Sequence, residues 1–369
     1  MSSQRYVPIL KSRLGELTAL RNMSDQLAGI CIPLVEFVPD GSEVDEEGNP
    51  DQEELKRTLS KSIRRLLGSW PAPFDLIVDT HGLPSAPDWN PAIQVVAACA
   101  EEQRAVIPTV RLSDPEAVVV EIADAVRKAQ HQGVCIRLVG DALVDDGEIG
   151  IGDRVEQVFE ILGLPADLIH IVVDFGAILS AEDAAFKARL ARLTLMEIPR
   201  IDDWQSVTLA GGAFPSALDG IAAETMTTLE RWELNLWRAV RARLTGKMRV
   251  PTFGDYAIAY PSQAPGIAFT PAPQLRYTAD DAWIVLKGRK NDRRGNAQFL
   301  DICGRIAARP DFTPGLSWGD EQIAERALYA HADPVPDGVS TGNAMIWRAI
   351  GTSHHIGYVA DRIKKAGEP

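Results

Sequence analysis

The sequence predicts a (β/α)8 barrel over residues 1–261, followed by a smaller α+β module over residues 262–369. Three observations carry this reading. Short apolar segments recur roughly every 25–40 residues, as strands separated by helices do. Between them stand segments with apolar residues at helical spacing. The apolar segments themselves hardly alternate, as expected of strands covered on both faces. An open doubly wound sheet would share the alternation, but no Gly-x-Gly-x-x-Gly follows the first strand.

In order, the first strand is Tyr6-Val-Pro-Ile-Leu10, with a helix over 14–27. Residues 30–38 form the second, then an acidic loop and a helix over 52–67. The third spans 74–79 with a helix over 91–102. The fourth spans 105–111 with a helix over 115–131, for which Asp114 is the expected N-cap, Pro115 the first helical residue and Gly133 the stop. The fifth is 134–138, with a helix over 153–162. The sixth is 168–174, with a helix over 181–192. The seventh is 206–210, with a helix over 227–244 carrying Trp232 and Trp237. Residues 249–260 contain the eighth. The least determined stretch is 193–220, where Leu193-Thr-Leu-Met-Glu197 also reads as a strand. Beyond Pro261 the texture changes. Residues 275–277 and 283–287 read as an antiparallel pair and 297–308 as a helix. Gly- and Pro-rich loops follow, then 343–350 and a closing segment with His354 and His355.

Hydrophobic residues make up 46% and charged residues 24%, an ordinary globular balance. The apolar runs fall well short of the roughly 20 residues a bilayer crossing needs. The N-terminus lacks the apolar core of a signal peptide. Cys31, Cys99, Cys135 and Cys303 are widely spaced without a Cys-x-x-Cys pair, so free core thiols in a reducing cytoplasm are expected, not a zinc site or disulfide framework. A net charge of −13 excludes wholesale coating of nucleic acid. One basic run stands out, Lys287, Arg289, Lys290, Arg293 and Arg294. It reads as a solvated loop, with a local phosphate or nucleic-acid contact as the alternative.

In a parallel barrel the C-terminal strand ends converge on one mouth, where active sites sit. The sequence places Lys11, Glu36, Asp79, Arg111, Arg137, Asp174 and Asp255 at those ends, with His81 two residues past Asp79. Charges inside strands are costly, so such a set requires a reason. Arg111 and Arg137 suit forked binding of phosphate or carboxylate. Glu36, Asp79 and Asp174 suit a hard cation such as Mg2+ or Mn2+, and Lys11 suits stabilisation of developing negative charge. Together they would serve metal-assisted hydrolysis of a phosphate ester. The same charges could instead neutralise one another in a structural ring. His354-His355 read as one packed and one exposed histidine, although His354 also stands as a ligand contact. Trp318-Gly-Asp320 and Trp347-Arg348 are candidates for a pocket wall with Arg stacked on an indole. No Walker A loop, His-Glu-x-x-His helix or Gly-x-Ser-x-Gly elbow is present.

The opening Tyr6-Val-Pro-Ile-Leu-Lys-Ser-Arg-Leu-Gly-Glu16 and Pro33-Leu-Val-Glu36 resemble the "beta protein" family of bacteria and their phages. So do Phe253-Gly-Asp-Tyr256, Arg276-Tyr-Thr, Lys287-Gly, Ser317-Trp-Gly-Asp320, and Trp347-Arg348 with His354-His-Ile356. The resemblance implies a cytoplasmic setting in a bacterium or phage, and raises interest in Lys11, Glu36, Asp255, Trp318, Asp320, Arg348 and His354. It brings no established reaction or catalytic set. The leading expectation is an enzyme or effector acting on a phosphate-bearing or anionic substrate at the mouth, with the C-terminal module over it. Lys11, Glu36, Asp79 and Asp174 are its candidate catalytic residues. Arg111, Arg137, Asp255, Trp318, Arg348 and His354 are its candidate ligand contacts. The rival is a non-catalytic scaffold of a phage-defence or counter-defence system.

Overall fold

The computed structural model describes residues 6–39, 51–71, 74–84, 89–129, 133–143, 149–245, 248–262 and 271–369. Seven parallel strands come first: β1 (Tyr6–Lys11), β2 (Leu34–Glu36), β3 (Ile77–Asp79), β4 (Ile107–Val110), β5 (Val134–Val139), β6 (Ile169–Ala177) and β7 (Ser206–Gly212). The next, β8 (Thr227–Glu230), leaves the barrel, which β9 (Thr252–Asp255) closes by pairing with both β7 and β1. The predicted (β/α)8 barrel is therefore the observed fold.

The helices are α1 (Leu14–Arg21), α2 (Gln52–Leu67), α3 (Pro91–Glu101), α4 (Glu116–Lys128), α5 (Ile151–Leu162), α6 (Ala181–Glu197) and α7 (Trp232–Arg241). Side-chain oxygens of Asp51, Asn90 and Ser180 accept first-turn amides of α2, α3 and α6, satisfying donors that have no partner within the helix. Asp114 does not cap α4. Pro115 precedes the helix, and the Asp114 carboxylate accepts the Arg111 amide at 2.8 Å instead. Residues 193–197 are the last turn of α6, not a strand.

Strand parity sorts the side chains. Val7, Ile9, Leu34, Ile77, Ile107, Cys135, Val172 and Ala210 fill the barrel interior. Leu10, Val35, Val78, Val110, Ile136, Val173 and Leu209 belong to the larger core between strands and helices. Gly254 takes an interior position for want of room: a Cβ there would lie 2.9 Å from Thr208 Cγ2 and 3.0 Å from Ala210 Cβ.

The C-terminal module is a three-stranded antiparallel sheet in the order β10 (Gln274–Ala279), β11 (Ala282–Lys287), β8. Over it lie α8 (Gln298–Ala307), α9 (Trp318–Ala327) and α10 (Ala344–Ala366). Residues 227–230, expected as the start of a helix, are thus a strand of this sheet, and α7 begins only at Trp232. Four residues with alternate burial, pairing far along the chain, carry no helical or strand period strong enough to be read locally. The helix α9 lies where only loops were expected. Its signal was a capping pair, Ser317 accepting the Asp320 amide while donating to its carboxylate. The long α10 lies against α1, α9 and β10, joining module to barrel. All four cysteines are free and buried, and no described helix is long and apolar enough to cross a membrane.

Candidate functional site

The inward parity that places Ile9, Leu34, Ile77 and Cys135 inside the barrel also turns Lys11, Glu36, Asp79 and Arg137 toward its axis, two residues nearer the mouth. Arg137 is the hub. Its Nη1 donates to Asp79 Oδ2 at 2.6 Å, and its Nη2 to Asp174 Oδ2 at 2.6 Å and Glu36 Oε1 at 2.9 Å. Nε reaches Asp174 Oδ2 at 3.2 Å. The Tyr256 hydroxyl accepts from Nη2 at 2.8 Å and donates to Asp174 at 2.6 Å.

Outward of the hub, Asp79 also accepts from Arg111 Nη2 at 3.3 Å and from the His81 amide and Nδ1 at 2.9 and 2.8 Å. His81 Nε2 lies 3.1 Å from both oxygens of Asp114. Burial alone would drive His81 neutral, but Asp114 and Asp79 on its two nitrogens hold it charged, at about 9. Burial likewise works against ionised Asp79, yet Arg137, His81 and Arg111 keep it well below the usual carboxylate range. Glu36 moves the other way: burial, with Asp79 and Asp174 nearby, outweighs Arg137 and raises it.

Five of the predicted mouth residues, Glu36, Asp79, Arg111, Arg137 and Asp174, therefore do meet. They do not surround an opening. Glu36, Asp79, Arg137 and Asp174 are 0–2% exposed, and the place a cation would take among the three carboxylates is filled by the guanidinium. Among the described residues no group of three or more His, Cys, Asp or Glu side chains is placed to hold a metal. The expected Mg2+ or Mn2+ site on Glu36, Asp79 and Asp174 is corrected accordingly.

Lys11 departs from this group. Its Nζ donates to the Tyr260 carbonyl at 2.9 Å, on the wall of a separate cleft of about 790 Å3 at the rim of the mouth. Arg13, Lys61, Arg65, Arg276 and Arg348 line the same cleft, with Glu16 as its carboxylate. Lys61 and Arg65 stand one turn apart on α2. Arg276 of β10 lies over the Phe214 ring at 4.2 Å and donates to the Ile258 carbonyl at 2.6 Å. Arg348 of α10 reaches that carbonyl at 3.5 Å and Glu16 at 3.7 Å. Of these, Lys11, Arg276 and Arg348 are held mainly by backbone carbonyls, and Glu16 is the one carboxylate among the described residues that line the cleft. Burial and the neighbouring Arg348 push Arg276 well below its ordinary value, and burial with Arg13 lowers Arg348 despite Glu16. Burial also lowers Lys11.

The other predicted residues lie elsewhere. Asp255 follows an inward Gly254, so it points out of the barrel, away from the mouth. Its Oδ1 accepts from the Tyr6 hydroxyl at 2.6 Å and its Oδ2 from His355 Nε2 at 2.8 Å and Arg231 Nη2 at 3.3 Å. Neither histidine is exposed, contrary to the expected split. His355 Nδ1 accepts the Thr278 hydroxyl at 2.8 Å, and burial lowers its pKa, so it serves as a neutral donor to Asp255. His354 sits between Asp320 Oδ1 at 2.8 Å and the Thr278 carbonyl at 2.7 Å, stacked on Tyr277 at 3.8 Å. His354 is thus sealed in the module and does not line the rim cleft. Trp318 packs on the module core, away from the rim cleft. Trp347 stacks on Phe299 while Arg348 faces the cleft, so no Arg–indole wall forms between them. In the basic run, Arg289, Arg293 and Arg294 pair with Glu224, Asp333 and Asp301, and Lys287 donates to the Leu218 carbonyl. That loop is mainly self-neutralised.

Sequence reasoning missed Arg13, Glu16, Lys61, Arg65 and Arg276 as neighbours of Lys11 and Arg348. The spacing of Lys61 and Arg65 along one face of α2 was visible, but it is also the pattern of any solvated helix face.

The fold and its mouth define a (β/α)8 barrel protein with a sealed ion-pair hub at the axis and an open cationic cleft on the rim. The Beta protein family model matches residues 6–361, and the chain belongs to that family. Among solved structures, it is similar to a type I 3-dehydroquinate dehydratase from Clostridium difficile, at 12% identity and a TM-score of 0.37, over 72% of this chain and 88% of that one. It is also similar to an enolase protein from Sargasso Sea environmental sequencing, at 12% identity and a TM-score of 0.30, over 76% and 60% of the two chains. No curated protein matches the sequence.

Proposed function

We propose that the chain binds a small anionic ligand, of the phosphate or carboxylate class, in the rim cleft. One observation carries the reading: a chain with a net charge of −13 gathers Lys11, Arg13, Lys61, Arg65, Arg276 and Arg348 around one concavity where, among the described residues, Glu16 alone supplies a carboxylate. Cations in excess of carboxylates around a concave surface concentrate anions from solution, and the buried ones among them gain most when an anion completes them. The guanidinium forks of Arg276 and Arg348 suit a planar or tetrahedral oxyanion. Metal-assisted hydrolysis at the axis is not part of this reading, because Glu36, Asp79 and Asp174 spend oxygens on Arg137.

Calorimetric titration with inorganic phosphate tests it at low ionic strength. Saturable binding is expected, weakened at least tenfold by the double substitution Arg276→Ala and Arg348→Ala. Absence of saturable binding by the unaltered protein, or equal binding by the double variant, would refute the proposal.

A further inference from the structure

Resting on that reading, we infer that the natural ligand carries two linked anionic groups, as a diphosphate-bearing small molecule does. Five of the cations fall into two sets carried by different elements. Lys11, Arg276 and Arg348 are tied to one short stretch of chain, through the carbonyls of Ile258 and Tyr260. They come from β1, β10 and α10, so barrel and module build this set jointly. Lys61 and Arg65 stand on α2, the first of them exposed and the second partly so. No ion pair joins either of these two to a carboxylate among the described residues, whereas Lys56 and Arg57 of the same helix pair with Glu53 and Glu54.

Size and charge agree. A volume of about 790 Å3 lies in the range of roughly 300–1,000 Å3 that receives a whole organic ligand, far more than one phosphate ion occupies. One monoanion on the Arg276–Arg348 set would leave the α2 pair unanswered. A second phosphoryl group linked to the first would reach it as an intramolecular event, without paying a second time for the freedom lost on binding. Leu14 and Pro215 give the lining apolar surface, enough for the organic body of such a ligand to rest on.

Titration of the full chain with inorganic pyrophosphate and inorganic phosphate, at matched ionic strength, separates this inference from the one beneath it. Pyrophosphate is expected to bind at least tenfold more tightly than phosphate. The paired substitution Lys61→Ala and Arg65→Ala is expected to compress that ratio to within threefold, while Arg276→Ala with Arg348→Ala weakens both ions. The substitution Lys290→Ala on the distant loop controls for general charge and should leave the ratio unchanged. Phosphate and pyrophosphate binding with equal affinity, or a ratio that survives loss of Lys61 and Arg65, would overturn the diphosphate inference and leave the anion cleft standing. If neither ion binds, the cleft itself fails.

Discussion

The axis of the mouth and its rim use the same residue types for opposite ends. At the axis, one arginine meets three carboxylates within 3 Å and all four side chains are shut away from water. At the rim, arginines and lysines outnumber carboxylates and face an open cleft, tethered by carbonyl oxygens that orient without cancelling charge. Charge at a strand end is therefore not in itself a sign of a binding site. What separates the two regions is how far charges of opposite sign balance among the described residues of each. A satisfied buried pair fixes geometry, whereas an unsatisfied cation cluster holds free energy that a ligand can release.

The sharpest way to break this comparison is Arg137→Ala. It leaves Glu36, Asp79 and Asp174 buried together without their counter-ion, and loss of one partner from such a network costs about 3–5 kcal/mol. Denaturant unfolding should register a loss of that size, or no cooperative transition. Arg137→Lys, which keeps the charge but not the fork, should fall between. A loss below about 1 kcal/mol would mean that the hub does not organise the mouth.

Next in size is the pH response of His81. Its pKa is about 9 in the folded chain against 6.5 for an unperturbed imidazole. The pair with Asp79 and Asp114 therefore stabilises fully below pH 6.5, weakens as pH rises, and is lost above about 9. A shift of this size corresponds to about 3 kcal/mol at most, reduced by solvent screening because the side chain is 20% exposed. Stability measured between pH 6 and pH 10 should decline in the unaltered protein, and the decline should be shallower in His81→Asn. Parallel curves would remove His81 from the network.

What could be read before any coordinates follows the same division. The barrel was readable because strand and helix periods are local properties, and the convergence of Glu36, Asp79, Arg137 and Asp174 followed from strand-end position alone. Their pairing was not, since a hub and a metal cage have the same composition. Asp255 was misplaced because one residue of parity separates the inside of a barrel from its outer wall. The neighbouring Gly254 held that information, as a position too crowded for a side chain. The rim cleft could not be assembled from sequence, since β1, α2, β10 and α10 meet only through the docking of module on barrel, and spacing along the chain does not report that contact. Arg276 lay in a family-matching stretch without any local mark of its role.

At the rim the expected stability effect is smaller, and its smallness is the point. Arg276→Ala with Arg348→Ala removes two cations that repel each other, along with the packing of one guanidinium on Phe214. Relieved repulsion opposes the lost packing and the lost bonds to the Ile258 carbonyl and Glu16, so the apo protein should lose less than about 1 kcal/mol even as phosphate affinity falls. Thermal unfolding with and without phosphate measures both terms, since a ligand that binds only the folded chain raises the midpoint. A loss comparable to that of Arg137→Ala would make the rim a second structural network instead of a site.

The smallest effect belongs to the basic loop. Arg293 pairs with Asp333 at 3.0 Å with both side chains exposed, at 84% and 51%. Water competes for both partners, so Arg293→Ala should change stability by less than about 0.5 kcal/mol and leave phosphate binding in the cleft unaltered. A clear loss of phosphate affinity in this variant would show that the positive field of the cleft extends across the module. The boundary between committed and available charge would then have to be drawn around the whole basic surface, not around the side chains that line one cavity.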